Sequence, residues 1–361
     1  MNVHLKAKGS ACYDMKAKTL HILRLVAIYT VLVGLLYFGL RYAPLRDIWK
    51  TLRQLHLWQI AVLLGLNFTI YLLVTLRWWL IGKVEKKDLP LLPLLGVRLS
   101  VFGISYFTLG PQIGGEPVQV LYLQRKYKMT YTRATSTVIM DKLLEFLANF
   151  FLLAVGLMGI FQAGILPKDG SRAFVSLIGL VILLIWPPIH IILLYRGKYP
   201  IASFLRALPF IKKSARSFRF IAASERMAGT FCRRHLSSLI SAIFVSLLAA
   251  VAMVGEFFLV TNFLKINLSF SQTITAWTAG WLAFLVPLPG GLGALETSQV
   301  FIFGVFDVSA ASTIGVVLLM RARDLLIGGL GLLIASRGVQ NKQYGDGQFH
   351  LSITNSSGGN K

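Results

Sequence analysis

Acidic side chains are scarce in this chain: 14 Asp and Glu stand against 37 Lys and Arg in 361 residues, a formal net charge of +23. In a soluble protein such a surplus points to nucleic acid, but no nucleic-acid-binding motif is present. Cysteine is scarcer still. Cys12 and Cys232 fall in basic segments expected to face a reducing cytoplasm, which argues against a disulfide and a metal site. The P-loop, H-E-x-x-H and G-x-S-x-G signatures are absent, and the histidines are scattered. No cofactor and no metal are expected, and the reading leans away from an enzyme. Long polar stretches are lacking too: the widest gap between apolar runs, from Tyr195 to Ser237, is about forty residues, too short for a soluble domain with its own core.

What fills the chain is apolar sequence, with 55% hydrophobic and only 14% charged residues. This composition predicts an all-α polytopic membrane protein of about six full spans plus two broken or re-entrant hairpins, eight or more apolar helices in all. Residues 1–19 form a basic cytoplasmic N-terminal segment, residues 20–336 the membrane domain, and residues 337–361 a disordered cytoplasmic tail rich in Gly and Ser. The first span runs from Leu20 to Leu40. The stretch from Arg41 to His56 reads as an interfacial amphipathic helix, and Arg77, Trp78 and Trp79 as anchors at the end of the second span. Between Arg196 and His235, ten Lys or Arg accompany Glu225 alone, which marks residues 196–235 as a cytoplasmic loop. Its interleaved Phe, Leu and Ile residues predict that part of it lies on the anionic inner leaflet. Both termini then lie inside, in a multi-pass protein of a cell (inner) membrane.

Two stretches depart from plain spans. Pro287-Leu288-Pro289-Gly290-Gly291-Leu292-Gly293-Ala294-Leu295-Glu296 sets prolines, glycines and a carboxylate inside apolar sequence, and Gly110-Pro111-Gln112-Ile113-Gly114-Gly115-Glu116-Pro117 echoes it. Proline and clustered glycine break a helix, and broken backbone at membrane depth is tolerated only where protein buries it or a polar cavity meets it. The echo suggests an inverted repeat, with the two hairpins entering from opposite sides.

Charges at that depth each cost about 2.5 to 3.5 kcal/mol on insertion scales, so they should pair or face a wet cavity. Arg98 is expected to meet Glu116, and Arg321 or Arg323 to meet Glu296. Asp141, Glu145, Glu256, Arg323 and Asp324 are further candidate cavity charges. An arginine beside helix N-termini freed by a glycine-rich break suits a phosphate. The expected substrate-binding set is Arg98, Gly114, Gly115, Glu116, Pro289, Gly290, Gly291, Gly293, Glu296 and Arg321.

These two motifs resemble the integral membrane domain of lysylphosphatidylglycerol synthases and the stand-alone flippase-like proteins related to it, over roughly residues 15–338. The resemblance implies a lipid-handling membrane domain, with Glu116 and Glu296 as the motif carboxylates. The family's soluble aminoacyl-transferase domain has no counterpart in this sequence, so lysyl transfer is not expected. The implied activity is movement between leaflets of a lipid with an anionic or lipid-linked headgroup. A membrane-embedded enzyme acting on a lipid-linked substrate, with Glu116, Asp141 or Glu296 as acid or base, is one alternative. A membrane anchor for a soluble synthase or glycosyltransferase partner is the other. Oligomeric state and substrate are open at this point.

Overall fold

The computed structural model describes Thr30 and residues 45–108, 114–162, 170–207, 216–286 and 288–356, and the regular elements among these are all helices, with no strand. Apart from Thr30, the expected first span lies outside the described residues, as do the segment 1–19, residues 110–113 of the first break and Pro287 of the second.

The helices are α1 (Leu45–Leu52), α2 (Leu57–Glu85), α3 (Leu91–Phe107), α4 (Glu116–Tyr127), α5 (Tyr131–Gln162) and α6 (Gly170–Tyr195) in the first half. Then follow α7 (Pro200–Ala207), α8 (Arg216–Arg234), α9 (Leu236–Phe263), α10 (Phe270–Ala283), α11 (Ala294–Val305) and α12 (Ala310–Ser356). Among the described residues α2 and α9 are each long and apolar enough to cross a membrane, and they pack along one another. Their outer faces leave Phe68, Phe244 and Val251 exposed, as a lipid-facing surface requires.

Each proline-glycine stretch interrupts a pair of short helices that fold back on each other: α3 onto α4, and α10 onto α11. Each pair has its own apolar core. Trp78, Leu94, Val101, Val120 and Leu123 close the first, and Phe257, Leu295, Ile302, Phe303 and Val316 the second. In the second, Gln299 Nε2 donates to the Ala276 carbonyl at 2.9 Å, tying α11 to α10.

Helix α12 lies along α3 through glycines. A Cβ at Gly331 would fall on the Leu99 carbonyl, and one at Gly103 would meet Leu332 N at 3.0 Å, so the backbones touch with no side chain between them. Past the apolar part, α12 continues to Ser356, where the sequence predicts a disordered tail. A helix already nucleated by a span needs only propagation, one hydrogen bond per residue, to run on into polar sequence.

One expectation about the surface is corrected. Arg77 is no interfacial anchor: it is 2% exposed, because its place on α2 turns it toward α5 rather than outward. Part of the apolar side of the basic segment packs on the protein. Phe218, Ala222, Ala228, Phe231 and Cys232 of α8 are buried against the protein, leaving Arg219, Arg226, Arg233 and Arg234 outward.

Glu225, the lone acid of that segment, anchors it. Its carboxylate accepts the N–H groups of Ile201 and Ala202 at 2.9 and 2.8 Å, capping α7, and lies 3.4 Å from His190 Nε2 on α6. Burial pushes the Glu225 carboxyl up, but the His190 ring and the two N–H groups outweigh it and hold it below the ordinary carboxylate range.

Candidate functional site: a charged cavity between two broken hairpins

A cavity of about 220 Å³ opens among α2, α3, α4, α5, α9, α10 and α12. Much of its wall is apolar or aromatic, with Phe102, Met253, Trp277, Trp281 and Phe284 among it. Four cations reach the wall, Arg77, Arg98, Lys142 and Arg323. Four carboxylates balance them: Glu116, Glu145, Glu256 and Asp324.

The charges fall into two groups. In the first, Asp141 and Glu145 sit one turn apart on α5 and share a face. Arg77 reaches Asp141 at 2.7 Å and Glu145 at 3.2 Å, while Arg98 reaches the same two carboxylates at 2.8 and 3.6 Å. The expected pair of Arg98 with Glu116 is therefore not formed. Glu116 instead meets Lys142 at 3.2 Å, and Lys142 also meets Glu145 at 3.3 Å. The reason is geometric: Glu116 is the first residue of α4 and its carboxylate turns back on its own break, whereas Arg98, in mid-helix α3, faces α5. In the second group, Arg323 bridges Glu256 at 3.0 Å and its neighbour Asp324 at 2.8 Å, and Asn67 of α2 donates to Glu256.

The second break stands apart from the cavity wall. Gly290 and Gly291 both take left-handed backbone, with φ of 59° and 61°, where an L side chain is strained, and this turns their carbonyls toward Arg321. Arg321 donates to both carbonyls, to the Tyr106 hydroxyl at 3.3 Å, and through Nε and Nη2 to Glu296 Oε1 at 2.9 and 2.6 Å. That occupies all five guanidinium N–H groups. Arg321 does meet Glu296, but it keeps no donor for a phosphate and acts as a clamp on the break. Pro289, Gly290, Gly291, Gly293 and Glu296 lie off the cavity wall with it; of the expected binding set, Arg98 and Glu116 line it.

The helix N-termini after the breaks are likewise engaged. Glu116 Oε2 accepts the N–H of Gly114 at 2.9 Å, and Glu296 Oε2 accepts the N–H of Gly293 at 2.8 Å. In both breaks the motif carboxylate holds a glycine N–H with one oxygen and a cation from another helix with the other. The two stretches are alike in this respect despite their different spacing.

Sequence reasoning missed Arg77, Lys142, Asn67 and Gln119 at the cavity. Arg77 carried a signal, a cation within an apolar run, that its tryptophan neighbours disguised as an anchor. Asn67 and Gln119 carried none, since single amides are common in membrane helices.

Comparison with curated proteins and with solved structures finds no significant match. The family pattern for the lysylphosphatidylglycerol synthase TM region matches residues 22–331, most of the chain and both broken hairpins. A helical chain with two broken hairpins and charges gathered between them is therefore a membrane protein, and it belongs to the lysylphosphatidylglycerol synthase TM region family.

Proposed function

We propose that this protein moves a phosphate-bearing lipid between the leaflets of a cell membrane. The observation that carries the reading is the cavity itself: a charged space of about 220 Å³ inside an apolar helical body, walled by one residue set that suits a headgroup and another that suits acyl chains. Arg98 and Lys142 are the cations to which a headgroup phosphate is assigned, in exchange with Glu145 and Glu116. The carboxylates that they release are left for the cationic or hydroxylated remainder of the headgroup.

The two hairpins are read as re-entrant. At 1.5 Å per residue, the 12-residue helices α4 and α11 reach about 18 Å and the 14-residue α10 about 21 Å, against a hydrocarbon core of about 30 Å. Three longer helices, α5, α6 and α9, separate the hairpins, so that if each crosses, the hairpins enter from opposite sides. That is the arrangement expected of an inverted repeat built around a midplane site.

The test is transbilayer movement of labelled anionic phospholipid in proteoliposomes. Wild type should move the lipid, and Lys142→Gln, which keeps the buried Arg–Asp141 pairs, should slow it about tenfold. A folded wild type that moves none would overturn the reading.

A further inference from the structure

Two residues on the cavity wall hold polar atoms that have no partner among the described residues. Gln119 on α4 is 1% exposed, and neither its Nε2 nor its Oε1 has a partner. Trp281 on α10 is 6% exposed, and its indole N–H has none. Among the described residues, the other buried polar atoms without a partner belong to side chains off this wall. The pair is divided between the hairpins, one residue from each. Buried polar groups are as a rule hydrogen-bonded, so two such residues lining one cavity mark a place where a ligand completes the bonding.

The chemistry of that ligand follows from the groups left open. They comprise three N–H donors, two on Gln119 and one on Trp281, and one carbonyl acceptor on Gln119. An ammonium group has donors alone and would leave all three N–H groups unmet. A phosphate dianion has acceptors alone and would leave the carbonyl unmet. A hydroxyl accepts and donates at once and meets both kinds.

Building on the transport reading above, we propose that Gln119 and Trp281 form a subsite for a hydroxyl group of the lipid headgroup, so that the protein selects hydroxylated headgroups over aminated or alkyl ones. A site built to hydrogen-bond a hydroxyl discriminates strongly against the analogue that lacks it, because the open N–H and carbonyl groups then stay buried and unpaired. The phosphate is held elsewhere on the wall and gives affinity common to all anionic lipids.

The experiment uses the full-length protein in detergent. Fluorescent short-chain phosphatidylglycerol, phosphatidylpropanol and phosphatidylethanolamine are titrated against it, and the same labelled lipids are followed across proteoliposomes. Phosphatidylpropanol has the charge and length of phosphatidylglycerol without its hydroxyls. Wild type should bind phosphatidylglycerol at least about tenfold tighter than the other two. Gln119→Leu and Trp281→Phe, which keep most of the volume, should each bring phosphatidylglycerol down to the level of phosphatidylpropanol while leaving phosphatidylpropanol unchanged. Equal binding of phosphatidylglycerol and phosphatidylpropanol by wild type overturns the subsite, as does an undiminished preference in both variants. Selective binding without transbilayer movement keeps the subsite and overturns the transport reading. No binding of any of the three by folded protein overturns both.

Discussion

At the scale of single residues, the chain concentrates its few acids where they hold buried cations. Asp141 is fully buried and is contacted by both Arg77 and Arg98, so removing it strands two guanidinium groups at once. Breaking a buried pair in this way costs about 3 to 5 kcal/mol, much of it the uncompensated charge left behind. Asp141→Ala should therefore lower the unfolding temperature in detergent far more than Glu145→Gln, which leaves Asp141 in place between the two arginines. Arg321 makes a different test. Lysine has three donors on a flexible stem and cannot span two carbonyls, a hydroxyl and a carboxylate together, so Arg321→Lys should destabilise the second break although the charge is kept. Faster proteolysis near residues 288–293 at unchanged overall helicity would be the sign of it. Cys232 is buried against Met140, and burial pushes its thiol up to about 11, with Arg233 pulling it back only in part. Its alkylation at pH 8 should be slow in the native protein and rapid after unfolding.

At the scale of elements, two contacts decide how helices meet. The close approach of α3 and α12 rests on Gly103 and Gly331, and any side chain there must push two backbones apart. Gly331→Leu should cost at least the 1 to 3 kcal/mol typical of overpacking, and at this backbone contact it should reduce the yield of folded protein outright. The contact between α6, α7 and α8 rests on Glu225. Its depressed folded-state pKa gives a contribution that is full above the ordinary glutamate value of 4.5 and is lost as the pH falls through the lower folded value. Limited proteolysis of the 196–235 segment should accelerate in acid for wild type. In Glu225→Gln it should already be fast at neutral pH and change little with acid. The element pattern also shows where sequence reading stops. Apolar runs locate α2, α5, α6, α9 and the apolar part of α12, and the proline-glycine stretches locate both breaks. Nothing in the periodicity tells Arg77 from a surface anchor, because tryptophans flank both kinds of position.

At the scale of the whole molecule, the surplus of basic charge and the proposed topology agree. The outward arginines of α8 belong to the segment with ten basic residues and one acid. A single cysteine placed at Arg226 in a Cys-free background should react with a membrane-impermeant maleimide only from the cytoplasmic side, and one at Asp307, beyond α11, only from the other. Labelling of both from one side would remove the opposed arrangement of the hairpins.

The sequence by itself determined the helical class, the family, the two breaks and the identity of most buried charges, because each leaves a local mark: an apolar run, a proline-glycine interruption, or an ion where water is absent. Tertiary structure alone decided which charges meet. Arg98 goes to Asp141 and not to Glu116, and Arg321 is consumed by the break that it was expected to help open to a ligand. Those outcomes depend on helix rotation and on the direction in which a carboxylate turns at a helix start. Both are fixed by packing between segments far apart in the chain, and neither leaves a trace in local composition.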